Sequence, residues 1–199
     1  MAIYLVFYIL ESIGILSFFI SGALLAKHKN FDPIGIYIIG FVTALGGGTL
    51  RDIILDRSPV YWIQHSEYPL LFILLTVGIY LLNLPEQNKP LILTDTIGIG
   101  TFCITSTQLG VEAELPIIII AIIAVITTCF GGLLRDLLCS QTPYVFQKES
   151  FYATIVFIGS LSYVGLNFLS ISVGLISFLT LCIVILVRLL SIRYNWRFK

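Results

Sequence analysis

The chain has 199 residues, 58% of them hydrophobic and 11% charged, and its mean hydropathy is +1.02. Soluble domains carry about 25% charged residues. This chain therefore lacks the polar surface to coat a water-soluble globule, which excludes a secreted disulfide scaffold, a disordered chain and an ordinary cytosolic enzyme. Its 11 basic residues balance its 11 acidic ones, so no field of one sign marks a nucleic-acid partner. The expected solvent and first partner is membrane lipid.

A bilayer-spanning helix needs roughly 20 mostly apolar residues. Seven candidates follow in chain order, at about 3–26, 33–55, 68–84, 91–110, 115–138, 151–168 and 171–190. The first is read as a retained span, because no basic stretch precedes it and Glu11 interrupts its apolar run. Lys27 to Pro33, Asn83 to Pro90 and Glu112 to Pro116 break the pattern. Each break places Pro where a new helix can begin, since its missing N–H is unsatisfied there anyway. The charge-free run from Ser150 to Val187 is too long for one span, and Asn167, Ser170, Ser172 and Gly174 supply a turn within it. Membrane strands are excluded because the apolar runs do not alternate. The expected fold is an all-α membrane protein of seven transmembrane helices in a single domain.

Lys and Arg in short loops set orientation. Lys27, Lys29, Lys89, Lys148, Arg193, Arg197 and Lys199 fall on one side, with Arg188 at that end of the last span. Arg57 stands on the other, beside Glu67, Glu112 and Glu114. The basic side is expected to be cytoplasmic, with the N-terminus outside. The tail from Arg193 to Lys199 has the basic and aromatic composition of an interfacial anchor. Cys103, Cys129, Cys139 and Cys182 form no CxxC and lie in apolar segments, so they read as buried and inert.

Shifted by 84 residues, the chain aligns with itself. Gly47-Gly48-Thr49-Leu50-Arg51-Asp52 falls on Gly131-Gly132-Leu133-Leu134-Arg135-Asp136, and Pro59 falls on Pro143; six of 14 positions are identical between 46–59 and 130–143. The same shift pairs Glu11 with Asp95, Ser12 with Thr96, Ser17 with Thr101 and Ser21 with Thr105. Repeat 1 covers about 1–84 and repeat 2 about 85–169, with a seventh helix at about 171–190. Three spans per repeat invert the second copy relative to the first. Inverted repeats are common in transport proteins, with sites at the repeat interface.

Gly46, Gly47, Gly48, Gly131 and Gly132 permit either a bend lining a polar path or close helix packing. Arg51, Asp52, Arg135 and Asp136 lie within spans, where an ionisable group costs about 2.5–3.5 kcal/mol on insertion scales and needs a partner or water. Sequence neighbours point about 100° apart on a helix. Symmetry then suggests that Arg51 pairs near Asp136 and Arg135 near Asp52. Glu11 and Asp95 either offer a negative site to a cation or cap a broken helix. The hydroxyls of Ser17, Ser21, Thr101 and Thr105 either line an ion path or bond their own helix carbonyls.

No span carries a Schiff-base lysine, and His28 and His65 both fall in loops. No GxGD pair, Walker loop, HExxH or clustered metal site appears. No enzyme, metal or cofactor is expected.

The doubled motif, Gly46 to Asp52 with Pro59 and Gly131 to Asp136 with Pro143, resembles the bacterial relatives of the trimeric intracellular cation (TRIC) channels. Related bacterial proteins carry a glycine transporter label. The resemblance covers roughly 3–190. It implies two inverted three-helix repeats plus a seventh helix, in a homotrimer of the bacterial inner membrane. It further implies one pore per subunit for K⁺ and Na⁺, with glycine-rich bends in helices 2 and 5 around that pore. The second copy departs from the triple glycine, since Phe130 stands opposite Gly46. The Lys-Glu-Val lipid-binding motif of the animal members is absent. The other function considered is a secondary transporter of a small zwitterion such as glycine. Its carboxylate would be held by Arg51 or Arg135, and its amine by Asp52, Asp136 or Glu11.

Overall fold

The computed structural model describes residues 2–82, 89–147, 151–169, 171–194 and 196. The predicted break at 83–88, Lys148, Ser170, Asn195, Arg197, Phe198 and Lys199 lie outside the described residues. The described chain is helical: α1 (Ala2–His28), α2 (Pro33–Ile54), α3 (Tyr61–Gln64), α4 (Glu67–Leu81), α5 (Lys89–Glu112), α6 (Ile117–Leu138), α7 (Tyr152–Asn167) and α8 (Val173–Arg193). A single 3₁₀ turn, Tyr144–Phe146, precedes α7. Helices α1, α2, α6 and α8 are long and apolar enough to cross a membrane, and α4 and α7 are shorter apolar helices.

Local sequence explains most boundaries. Asp32 caps α2, its Oδ1 accepting from Gly35 N–H at 2.7 Å, with Pro33 in the first turn. Pro116 is the N-cap of α6, so that helix begins at Ile117, two residues later than its predicted start. Ser172 caps α8. The Lys27 ammonium donates to the carbonyls of Ile79, Tyr80 and Leu82, satisfying the open C-terminal end of α4.

The helices present apolar side chains outward as well as inward. Leu70, Leu74 and Leu81 of α4 are exposed, while Tyr68, Phe72, Thr76 and Ile79 face inward. Arg51 and Arg135 head the fully buried side chains. Helix α1 packs on α2 and α5, α2 on α6, and α5 on α6, α7 and α8. Phe18 meets Phe102 at 5.2 Å, and Phe19 stacks on Phe72 at 4.1 Å. Cys103, Cys129 and Cys139 are buried as expected, whereas Cys182 is exposed on α8.

Local geometry recurs 84 residues apart. Left-handed residues end α1 and α5 at Asn30 (φ 59°) and Glu114 (φ 53°), and end α2 and α6 at Asp56 (φ 51°) and Ser140 (φ 54°). Phe31 N–H donates to Ala26 O as Leu115 N–H does to Gly110 O, and Arg57 N–H to Asp52 O as Gln141 N–H to Asp136 O.

The glycine motifs do not interrupt their helices: α2 and α6 are each one continuous helix. Their role here is close approach. A Cβ at Gly47 would collide with the backbone carbonyl oxygen of Thr127, and a Cβ at Gly131 with that of Thr43. A Cβ at Gly48 would meet nothing nearer than 3.7 Å. Gly47→Ala should therefore cost about 1–3 kcal/mol through overpacking. Gly48→Ala should be neutral or stabilising by up to about 1 kcal/mol, because Ala is the better helix former. Thermal unfolding of the two variants in detergent checks this contrast.

Candidate functional site

The two facing glycines also fix a register. Gly47 lies against Thr127 and Gly131 against Thr43. As one number rises the other falls, so α2 and α6 cross antiparallel. Arg51 stands one turn beyond Gly47 on the same face, and Arg135 one turn beyond Gly131. By this register Arg51 is level with Ile123 on α6, roughly 20 Å along the axis from Asp136. The crossed pairing predicted from symmetry is therefore wrong.

Each arginine instead closes an ion triplet within its own half. Arg51 Nε and Nη2 donate to Asp52 Oδ1, each at 2.9 Å, and Nη1 donates to Glu11 Oε1 at 2.9 Å. Arg135 Nε donates to Asp136 Oδ1 at 2.8 Å, and Nη1 to Asp95 Oδ1 at 2.7 Å. Sequence neighbours pair after all, because the arginine stem is long enough to fold its guanidinium back over the next residue. Glu11 and Asp95 cap no helix. They bind the two arginines, which sequence reasoning did not consider.

The second aspartate oxygen binds a loop. Asp52 Oδ2 accepts from Tyr61 N–H at 2.8 Å, and Asp136 Oδ2 from Tyr144 N–H at 2.9 Å. Pro59 and Pro143 start these loops; the Ser58–Pro59 peptide is cis. The tyrosines sit 83 rather than 84 residues apart, because Val60 has no counterpart between Pro143 and Tyr144. The shared prolines are the sequence signal that could have revealed these bonds. Burial pushes the Tyr61 and Tyr144 phenols above their ordinary value.

The hydroxyl register divides. Ser12, Thr96 and Thr101 donate to carbonyls of their own helices. Ser17 is buried without entering either triplet. Ser21 crosses between the halves, its Oγ accepting from Arg135 Nη1 at 2.7 Å. Thr105, its counterpart, lines a cavity of about 190 Å³ together with Glu11, Arg51 and Tyr61. The Arg135 triplet is enclosed by Tyr152, whose hydroxyl lies 3.4 Å from Asp95 Oδ1, and Arg188 sits 5.0 Å from the Tyr152 ring centre.

The sequence pattern of the family described as "Glycine transporter" matches this chain twice, over residues 8–84 and 92–167. The chain is 34% identical to the UPF0126 membrane protein YvgT of Bacillus subtilis, over 95% of this chain and 93% of that protein. It is 31% identical to the UPF0126 inner membrane protein YadS of Escherichia coli K12, over 94% and 92% of the two chains. The chain belongs to the Glycine transporter family.

Within this family it groups with the bacterial TRIC channels. A crystal structure of the TRIC trimeric intracellular cation channel orthologue from Rhodobacter sphaeroides superimposes with a TM-score of 0.87 at 27% identity, covering 96% of this chain and 98% of that one. A prokaryotic TRIC channel crystallised in 0.5 M KCl gives 0.88 at 28% identity, with the same coverage. These relatives are membrane channel and UPF0126 proteins rather than enzymes.

In this TRIC-family protein the buried triplets predict a particular pattern of energetic coupling. A double-mutant cycle on Arg51 and Glu11 should give a coupling energy above about 1 kcal/mol, while Arg51 and Asp136 should couple by less than about 0.5 kcal/mol. Denaturation of the single and double variants in detergent measures both. Comparable values for the two cycles would contradict the pairing within each half.

Proposed function

We propose that this protein is a passive channel for monovalent cations, K⁺ and Na⁺, working as a homotrimer with one pore in each subunit. The observation that carries this reading is the charge of the buried triplets. Each holds one guanidinium and two carboxylates, a formal net of −1. An arginine near the ion path would repel cations if unpaired. Paired with two carboxylates, it becomes the centre of a negative site. An uncompensated buried charge costs several kcal/mol, so a triplet open to the path favours the approach of a mobile cation. The similarity to the Rhodobacter sphaeroides orthologue, a trimeric intracellular cation channel, supports the same sign.

In this reading α1, α2 and α4 form one repeat, α5, α6 and α7 its inverted copy, and α8 the seventh span. The N-terminus lies outside and the C-terminus in the cytoplasm of a bacterial inner membrane. The pore runs between the repeats, past Gly46, Gly48 and Gly132. Gating involves the Gly47–Gly131 crossing, where the backbones are already in contact and small relative movements change the path.

The zwitterion transporter is less favoured. Arg51 uses Nε, Nη1 and Nη2 on Asp52 and Glu11, so a substrate carboxylate would have to displace one of them.

Reversal potentials of the purified protein in bilayers under asymmetric KCl test the sign. Cation selectivity is expected. Glu11→Gln, which keeps a hydrogen bond to Arg51 but removes one charge, should lower the cation-to-anion permeability ratio about tenfold, corresponding to about 1.4 kcal/mol at the site. Saturable glycine uptake into liposomes without measurable conductance would overturn the channel reading.

A further inference from the structure

Just past α2 the first copy carries Asp56 and Arg57 where the second, just past α6, has the neutral Ser140 and Gln141. Arg57 and Gln141 bond alike through their backbones, Arg57 N–H to Asp52 O at 2.8 Å and Gln141 N–H to Asp136 O at 3.0 Å. Their side chains differ. Gln141 Nε2 donates to Asp136 Oδ1 at 3.0 Å, so its amide joins the Arg135 triplet. Arg57 is exposed and forms no ion pair among the described residues.

Arg57 also lines two cavities. One, of about 190 Å³, is bounded by Glu11 and Arg51 of the first triplet and by Tyr4 and Glu112. The other, of about 450 Å³, is bounded by Asp52, Asp56 and His65. Both are lined by Arg57 and Tyr61, so Arg57 stands where they adjoin. Tyr4 is 78% exposed, which gives the smaller cavity a route to the surface. Glu11 and Arg51 are buried while Arg57 is exposed, so Arg57 lies outward of the triplet. Asp56 lines only the larger cavity. Glu112 lines the smaller one, where its Oε1 accepts from Gln108 Nε2 at 2.9 Å and makes no ion pair with Arg57. A cation entering here would meet the free charge of Arg57 before the formal −1 of the triplet.

We propose that Arg57 limits how readily cations enter by this mouth. The inference rests on the cation-channel reading and adds the residue that throttles the current at one end. A unit charge about 7 Å from an ion in water changes the local ion concentration about threefold, which slows entry without blocking it. The effect belongs to the charge and not to packing, because the side chain is exposed and the backbone bond is open to any residue except proline. It is also screened by salt, as exposed charges are.

Arg57→Gln, which installs the residue of the second copy, is the test. Single-channel K⁺ currents are recorded in symmetrical KCl at about 0.02 M and at about 1 M, where the screening length falls to about 3 Å. At low salt Arg57→Gln should raise the current of one polarity about two- to threefold, and the gain should shrink at high salt. Arg57→Lys should recover the parent current, and Arg57→Glu should exceed Arg57→Gln. A thiol probe reads the same charge without conduction. In a Cys182→Ser chain, which lacks the exposed native thiol, Tyr4→Cys places a cysteine on the smaller cavity. The rate of its modification by an anionic methanethiosulfonate, relative to a cationic one, should fall about tenfold at low salt when Arg57→Gln is added. K⁺ current that Arg57→Gln leaves unchanged at low salt, or changes equally at both salts, overturns the role of Arg57 and keeps the channel. An unchanged rate ratio removes the Arg57 charge from this mouth. A shifted ratio in a protein that passes no K⁺ current overturns the channel reading, and the entry role with it.

Discussion

A guanidinium inside an apolar bundle has five N–H donors and one positive charge to satisfy, and no water beside it by default. That requirement organises this protein. Arg51 and Arg135 are almost wholly buried, and each meets the charge with two carboxylates, one from the next residue and one from the neighbouring long helix, although Arg135 Nη2 has no partner among the described residues. The adjacent aspartate holds the side chain against its own helix. The distant carboxylate, Glu11 or Asp95, then obliges α1 to lie beside α2 and α5 beside α6. The aspartate's other oxygen reaches on to the backbone of the following loop. One buried cation thus joins two helices and a loop, twice.

The glycine crossing places these joints. Gly47 and Gly131 let α2 and α6 approach until each would-be Cβ coincides with a carbonyl oxygen of the partner. Because the helices run antiparallel there, each arginine lies one turn past the contact, toward opposite ends of the bundle. Two charged centres are therefore kept apart by a segment of direct backbone contact. Bringing Arg51 and Asp52 together with Arg135 and Asp136 would need a different register, in which the small residues no longer faced each other. The packing constraint and the electrostatic arrangement are one geometric solution.

Much of this was legible in the sequence. Apolar run length placed α1, α2, α4, α5, α6, α7 and α8 but missed the short α3, and only four of those helices are long and apolar enough to cross a membrane; the 84-residue shift pointed to the hydrogen bonds that recur in both copies. Most of the charged set was also visible, since the spans enclose Glu11, Arg51, Asp52, Asp95, Arg135 and Asp136; Arg188, read as marking the basic end of the last span, is buried as well. The pairing within the set was not visible. The reasoning that neighbours diverge by about 100° treats side chains as radial pins, whereas arginine has enough rotatable bonds to turn its head back along the helix. The glycines had two readings, and only the facing carbonyls of Thr43 and Thr127 decided for close approach. The loop bonds to Tyr61 and Tyr144 were missed because backbone N–H groups carry no sequence signal beyond the prolines nearby.

Duplication makes the differences between halves as informative as the likenesses. Ser21 and Thr105 occupy matching positions, yet Ser21 reaches Arg135 while Thr105 reaches nothing. Helix α8 packs on α5 and α7 and brings Arg188 over Tyr152. It belongs to neither matched segment, whereas the further cation beside the Arg51 triplet, Arg57, comes from the repeat itself and lines the cavity with Glu11 and Arg51. The Arg135 centre is consequently enclosed beside Tyr152 and Arg188, whereas the Arg51 centre stands beside a cavity that Arg57 also lines. Two copies of one motif, placed in different surroundings, have different electrostatics. On the path proposed above, a mobile cation would meet an open centre at one end and a filled one at the other. Symmetry in the sequence therefore does not imply symmetry in conduction.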